Sequence, residues 1–273
     1  MKIYISVDME GISGINGPEY VMRDGRWYAA GQRLMTADAN AAVRGAFDGG
    51  ADEVIVMDAH GLSGNILAEE LDPRALLLAG TPHQPRFPFL DESVDGLFLV
   101  GYHAMAGTLG ANLEHTMNSA SWHKFCINDR PCGELGLDAE LAAECGVPVV
   151  MVSGDDKLCE EALAWLGPIE TAMTKQGLGR QSALCLSPAY GQNRVYAAAR
   201  RAVERLAELE PFTLPETPSP VRVAITYKMV PDADKANVAG TKRLDGYTVE
   251  TTYARLSDMY GGLWREYGIE KKI

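Results

Sequence analysis

KIYISVDMEG, residues 2–11, runs an alternating apolar segment straight into an acidic doublet. Ile3, Ile5 and Val7 alternate with Tyr4 and Ser6, which is the period of a buried strand. Strand residues two apart point to one face, so Asp8 and Glu10 leave the strand end together. In an α/β protein the carboxyl ends of the strands frame the ligand crevice. Two carboxylates held there repel each other unless a cation separates them, and their oxygens suit a divalent metal ion. On this pair alone an ordinary alternative stands, with Asp8 capping the following turn and Glu10 solvated.

The arrangement recurs along the chain. EVIVMDAHG (53–61) ends an apolar strand in Asp58 and His60, again two apart, and LFLVGYHA (97–104) places His103 just past a third strand. If these strands are neighbours in one sheet, Asp8, Glu10, His60 and His103 converge at one edge. Strand-like and helix-like segments alternate through most of the sequence. Strands are expected near 2–7, 53–57, 75–78, 96–100, 122–128 and 147–153, and helices near 29–47, 136–145, 157–166 and 188–209. This is the pattern of an α/β fold with a mostly parallel sheet and flanking helices. PFTLPETPSP (211–220) carries four prolines and continues neither a helix nor a central strand. It is read as a linker between a metal-binding catalytic α/β domain, 1–210, and a small C-terminal α+β domain, 221–273. Strands at 221–228 and 247–252 and a helix near 254–267 are expected in that second unit.

Composition narrows the function. The chain has 273 residues, 47% apolar and 23% charged, with a formal net charge of -12. That length supports a substantial core. The acidic balance argues against binding to nucleic acid or to an anionic lipid surface and favours a small-molecule or peptide substrate. The N-terminus shows no basic region, apolar core or cleavage site of a leader, and the apolar runs are too short to span a bilayer. The five cysteines lack a CxxC pair, so reduced thiols of a cytoplasmic protein are expected rather than a disulfide framework or thiolate zinc site.

Two further segments carry chemistry. LEHTMN places His115 in a polar stretch, and INDRPCGELG sets Glu134 at the start of a helix, where a carboxylate also serves simply as a partner of the helix dipole. His83, on a proline-rich loop with no acidic neighbour, is assigned a structural role. Two histidines and three carboxylates make an inventory suited to zinc or a comparable divalent ion, and to two ions better than one. Asp58 either orients an imidazole from behind or caps the strand end. EGISGINGP offers Gly11, Gly14 and Gly17, but at GxxGxxG spacing with Pro18 following, which departs from a dinucleotide loop. In VSGDD, Asp155 and Asp156 are read as caps of the next helix rather than a magnesium pair.

SVDMEGISG (6–14), DAHG (58–61), GYHAMAGT (101–108), EHTMN (114–118), INDRPCGELGL (127–137) and VSGDD (152–156), in this order, resemble the zinc D-aminopeptidases encoded with dipeptide-transport operons. The resemblance spans the chain. It implies two zinc ions per subunit, with Asp8 bridging, Glu10 and Glu134 completing one ion, and His60 and His103 the other. It also implies His115 as the catalytic residue, nucleophile or general acid/base, and a ring-like homodecamer that admits short peptides. Cys132 beside the expected ligand is a variant, read as a small buried hydrophobe. Specificity for a D-residue at the N-terminus of the peptide is implied in the same way, without a pocket to assign it to. A dinuclear phosphoesterase or amidohydrolase, or a noncatalytic metal-binding scaffold, are the other readings. Only Arg130 stands near a ligand to serve a phosphate, and the full ligand set argues against a scaffold.

Overall fold

Strand β1 (Lys2–Val7) is the axis of the computed structural model, which describes residues 1–80, 85–208 and 220–260. It pairs in parallel with β2 (Glu53–Asp58) on one side and β4 (Gly96–Val100) on the other. Residues buried on both faces explain why these strands read as nearly continuous apolar runs. The sheet continues through β3 (Leu76–Leu78) beyond β2, and through β7 (Val149–Asp155), β8 (Glu170–Gly179) and β9 (Ser182–Cys185) beyond β4. The order is β3-β2-β1-β4-β7-β8-β9, and only the β8–β9 pair is antiparallel. The chain leaves β1 first to one side and later to the other. The crevice at that switch point lies between the carboxyl ends of β1 and β4.

Helices α1 (Pro18–Val21) and α2 (Tyr28–Asp48) follow β1. Later come α3 (Glu134–Glu144), α4 (Asp156–Leu166) and α5 (Pro188–Glu204). The pair α2 and α5 covers the face bearing Ile3, Ile5, Val7, Val56 and Val100, where a stripe of alanines lets the helices approach. Tyr4, Met57, Leu97, Leu99 and Val152 face the opposite core, which they share with α3, α4 and a second sheet. That sheet has the order β11-β12-β10-β5-β6, formed by β5 (Trp122–Ile127), β6 (Arg130–Pro131), β10 (Val221–Tyr227), β11 (Thr241–Arg243) and β12 (Thr248–Tyr253). A short helix, α6 (Val230–Ala236), packs on β10.

The mostly parallel α/β architecture is as expected, and the differences have local causes. β3 is a half-exposed edge strand rather than a buried one, with Leu76 57% exposed. In the hairpin β8–β9 the first strand is ETAMTKQGLG, whose charged Glu170 and Lys175 hide its strand character. The second sheet draws β5 and β6 from before residues 211–220 and β10 to β12 from after them. His83, most of the proline-rich stretch 211–220 and residues 261–267 of the helix expected near 254–267 lie outside the described residues. Among the described residues, no helix is long and apolar enough to cross a membrane.

Backbone pairing continues past the strand ends and sets the crevice. Asp8 N–H donates to Val100 O at 2.8 Å, Gly11 N–H to Gly101 O at 2.7 Å, and Tyr102 N–H to Ser153 O at 3.0 Å. At Gly11 the loops touch. A Cβ there would lie 1.9 Å from Tyr102 O and 2.7 Å from Gly101 C. Gly11→Ala therefore forces apart the loops carrying Glu10 and His103, and it should destabilise the protein by about 1–3 kcal/mol. Gly246→Ala, where nothing lies within 4 Å of the added carbon, should stay within about 0.5 kcal/mol. Paired thermal melts check both.

Candidate metal centre

Asp8 lies one residue past β1, His60 two past β2, and His103 three past β4, so three adjacent parallel strands deliver their side chains to one point. Glu134 opens α3, and His115 rides on the irregular segment between β4 and β5. His60 Nδ1 sits 3.0 Å from Asp8 Oδ1 and 3.2 Å from Glu10 Oε2. His103 Nε2 sits 3.4 Å from Asp8 Oδ2 and 3.3 Å from Glu134 Oε1. His115 Nε2 is 3.5 Å from Glu134 Oε1, and its ring stacks on His103 with centroids 3.9 Å apart. All six residues predicted from sequence converge. The geometry sets His60 with Glu10 and His103 with Glu134 on opposite oxygens of Asp8, whereas the family resemblance groups Glu10 with Glu134 and His60 with His103.

The outer nitrogen of each imidazole faces a backbone carbonyl. His60 Nε2 is 2.9 Å from Val21 O, His103 Nδ1 is 3.1 Å from Ala104 O, and His115 Nδ1 is 3.0 Å from Leu113 O. A carbonyl only accepts, so each of these nitrogens carries hydrogen and each inner nitrogen is left to offer a lone pair to the cluster. Three carboxylates and three imidazoles thus turn acceptors toward one another. The ion-pair partners of the carboxylates among the described residues are these imidazoles. Glu10 Oε2 and His103 Nε2 are buried without a hydrogen-bond partner. A buried set of acceptors needs cations, either protons or metal ions. Ligand atoms of Asp8, Glu10 and His103 lie within 4.8 Å of one another, as do those of His103, His115 and Glu134. The donor set, oxygen and imidazole without thiolate, fits zinc or a similar divalent ion.

Without metal, protons take the cation's place. Burial and the adjacent Glu10 push the Asp8 carboxyl up to about 7, partly offset by His60 and His103. Burial also opposes ionisation of Glu10, but the charge of His60 outweighs it and holds that carboxyl well below its ordinary range. Glu134 is held at about 2 because His103 and His115 outweigh its burial. Burial lowers His60, yet Glu10 and Asp8 carry it well above its ordinary value, and Glu134 brings His103 to about 10 against the same penalty. His115 differs. Burial and the neighbouring His103 hold it below its usual value, so it stays neutral at neutral pH.

Supporting contacts come from residues that the sequence pattern does not disclose. Lys175 on β8 is fully buried, and its Nζ donates to Glu10 O at 2.6 Å and Ile15 O at 2.5 Å. Thr174 Oγ1 donates to Gly11 O at 2.7 Å. The loop bearing Asp8 and Glu10 is thereby tied to a strand more than 160 residues away. A charged residue inside a strand-like run is the signal that could have found Lys175. Asp58 takes the capping role: its carboxylate accepts from Asn65 N at 2.6 Å and Ile66 N at 3.1 Å, while Asn65 Nδ2 donates to His60 O at 2.8 Å. Asp155 caps α4 by accepting from Leu158 N at 2.8 Å. Cys132 is fully buried and donates to Gly133 O.

Residues 1–264 match the model of a family described as D-aminopeptidase. A D-aminopeptidase of Bacillus subtilis (strain 168) is 38% identical over 254 residues, covering 91% of this chain and 89% of its own. Among solved structures, the Zn-dependent D-aminopeptidase DppA from Bacillus subtilis, described as a self-compartmentalizing protease, matches with a TM-score of 0.93. The two chains are 33% identical and each is covered in full.

Because ligands bind metal deprotonated, metal uptake must expel the protons held on His60 and His103. Adding a divalent transition metal to metal-free protein at pH 7 in weak buffer should release at least one proton per chain, read with an indicator dye. Apparent affinity should fall as pH falls, in the direction set by the raised histidines. Binding without proton release would contradict this description.

Proposed function

The chain belongs to the D-aminopeptidase family, and we propose that it cleaves the N-terminal D-residue from short peptides with two zinc ions held on either side of Asp8. Asp8, Glu10 and His60 would hold one ion, and Asp8, His103 and Glu134 the other. The observation carrying this reading is the pairing of His60 and His103 with opposite oxygens of one carboxylate. When bound, the zinc ions supply Lewis acidity to the scissile carbonyl and to an attacking water.

The chain's own groups account for the rest. His115 Nε2 points into the cluster with its Nδ1–H fixed on Leu113 O. With Nδ1–H committed to Leu113 O, Nε2 is the free basic atom; it takes a proton from the attacking water and returns it to the departing amine, the work of a general base and then acid. Glu134 Oε1 also accepts from Met117 N at 2.7 Å, so the His115 segment and the ligand are held as one unit. The acidic surroundings offer an anchor for the free α-ammonium group of a peptide. Self-compartmentalization, described for DppA, extends in this proposal to a homodecameric ring of the present chain that admits only short peptides.

Purified protein should hydrolyse a D-alanyl dipeptide and discriminate against its L-epimer by at least about 100-fold in kcat/KM. A chelator should abolish turnover, and zinc should restore it. Preference for the L-epimer, or turnover that survives exhaustive chelation, would refute the assignment. His115→Ala should keep its metal while kcat falls about 10²- to 10⁴-fold, whereas Asp8→Asn should lose bound metal. Metal analysis beside steady-state kinetics checks both variants.

A further inference from the structure

The segment bearing His115 has an unfavourable backbone. Leu113 and Met117 both lie in the left-handed region, with φ of 55° and 57°, and neither is glycine. Side chains other than glycine hold such a conformation only where neighbours impose it. At its far end the segment is tied by Met117 N–H to Glu134 and by Thr116 Oγ1, which accepts from Ala106 N at 3.2 Å. At its near end it is held by Asp155, which accepts from Asn112 N at 2.8 Å, and by a single residue of the hairpin turn between β8 and β9.

That residue is Arg180. Its carbonyl accepts from Leu113 N at 2.9 Å and from Asn112 Nδ2 at 3.2 Å. Its guanidinium donates from Nη1 to Glu114 Oε2 at 2.7 Å and to the Glu114 carbonyl. Arg180 therefore grips the three residues immediately before His115, on both sides of the Leu113 carbonyl that receives the imidazole Nδ1–H. Turning that carbonyl would swing the imidazole or release its hydrogen bond, and Nε2 would no longer be aimed into the cluster. We propose that Arg180 is the positioning residue of His115, holding the left-handed turn at Leu113 through Glu114 so that the imidazole keeps its orientation and tautomer.

The proposal rests on the reading of His115 as the acid/base group. The guanidinium is 46% exposed at a hairpin tip, so its removal leaves no buried cavity. It is not placed against the carboxylate and imidazole cluster, which predicts an effect on turnover without loss of metal.

The test compares Arg180→Ala, Arg180→Lys, His115→Ala and the Arg180→Ala/His115→Ala double variant, as metal-loaded protein with a D-alanyl dipeptide. Arg180→Ala should lower kcat by about 10- to 100-fold at unchanged KM and unchanged metal per chain. Arg180→Lys, which keeps one donor for Glu114, should recover part of the loss and answers the question if the alanine variant fails to fold. The double variant should be no slower than His115→Ala, since the two changes disable one function. Wild-type kcat in Arg180→Ala and Arg180→Lys overturns the proposal. So does a raised KM at unchanged kcat, which would make the guanidinium a substrate contact, or an additive loss in the double variant. If His115→Ala itself turns over at near wild-type rate, the acid/base reading fails first. If it is inactive while Arg180→Ala is fully active, only the positioning role fails.

Discussion

Asp8 lies between two imidazoles, with His60 against one carboxylate oxygen and His103 against the other. Glu10 and Glu134 close the two sides, and every inner atom of the group is an acceptor while the outer nitrogens are spent on backbone carbonyls. Burying such a group in a protein interior is prohibitive unless positive charge fills its centre. The surrounding architecture holds these acceptors at a separation that cations can use.

The parallel sheet does this with little machinery. Because β2, β1 and β4 are adjacent and parallel, residues a fixed step past each strand end reach the same edge. The loops are then locked to one another by main-chain bonds from Gly11 to Gly101 and from Tyr102 to Ser153, and by Gly101 N–H donating to Ser153 Oγ. Lys175 and Thr174 tie the ligand loop to β8 from below. Burial lowers the Lys175 ammonium to about 8, and two carbonyl acceptors compensate its charge locally. The same hairpin whose strand carries Lys175 turns at Arg180, so β8 and its turn contact both the loop bearing Asp8 and Glu10 and the segment bearing His115. The carboxylate and imidazole cluster and the His115 segment thus share one supporting element.

How much of this was legible in the sequence follows from the range of each interaction. The ends of β1, β2 and β4 could be read because an apolar run followed by Asp, Glu or His at i, i+2 spacing is a local pattern. Glu134 and His115 were found through ordered motifs rather than periodicity, since one opens a helix and the other lies on irregular chain. The hairpin β8–β9 has no such local pattern, because Lys175 interrupts its alternation and the partners of Lys175, Glu10 O and Ile15 O, lie 160 or more residues away. The pairing of β5 with β10 joins Phe125 to Ile225 across 100 residues, and no local pattern encodes such an antiparallel match. The role of Asp58 was ambiguous for a different reason: orienting an imidazole and capping a turn place the same demand on the sequence. The division of ligands about Asp8 likewise depends on which oxygen faces which imidazole, and spacing carries nothing about that.

Anomalous diffraction at the zinc edge from crystals of the zinc-loaded protein shows whether Asp8 separates two cations, as proposed. Two strong peaks per chain are expected, one bounded by Asp8, Glu10 and His60 and the other by Asp8, His103 and Glu134. A single peak, or two peaks of which neither touches Asp8, would contradict it.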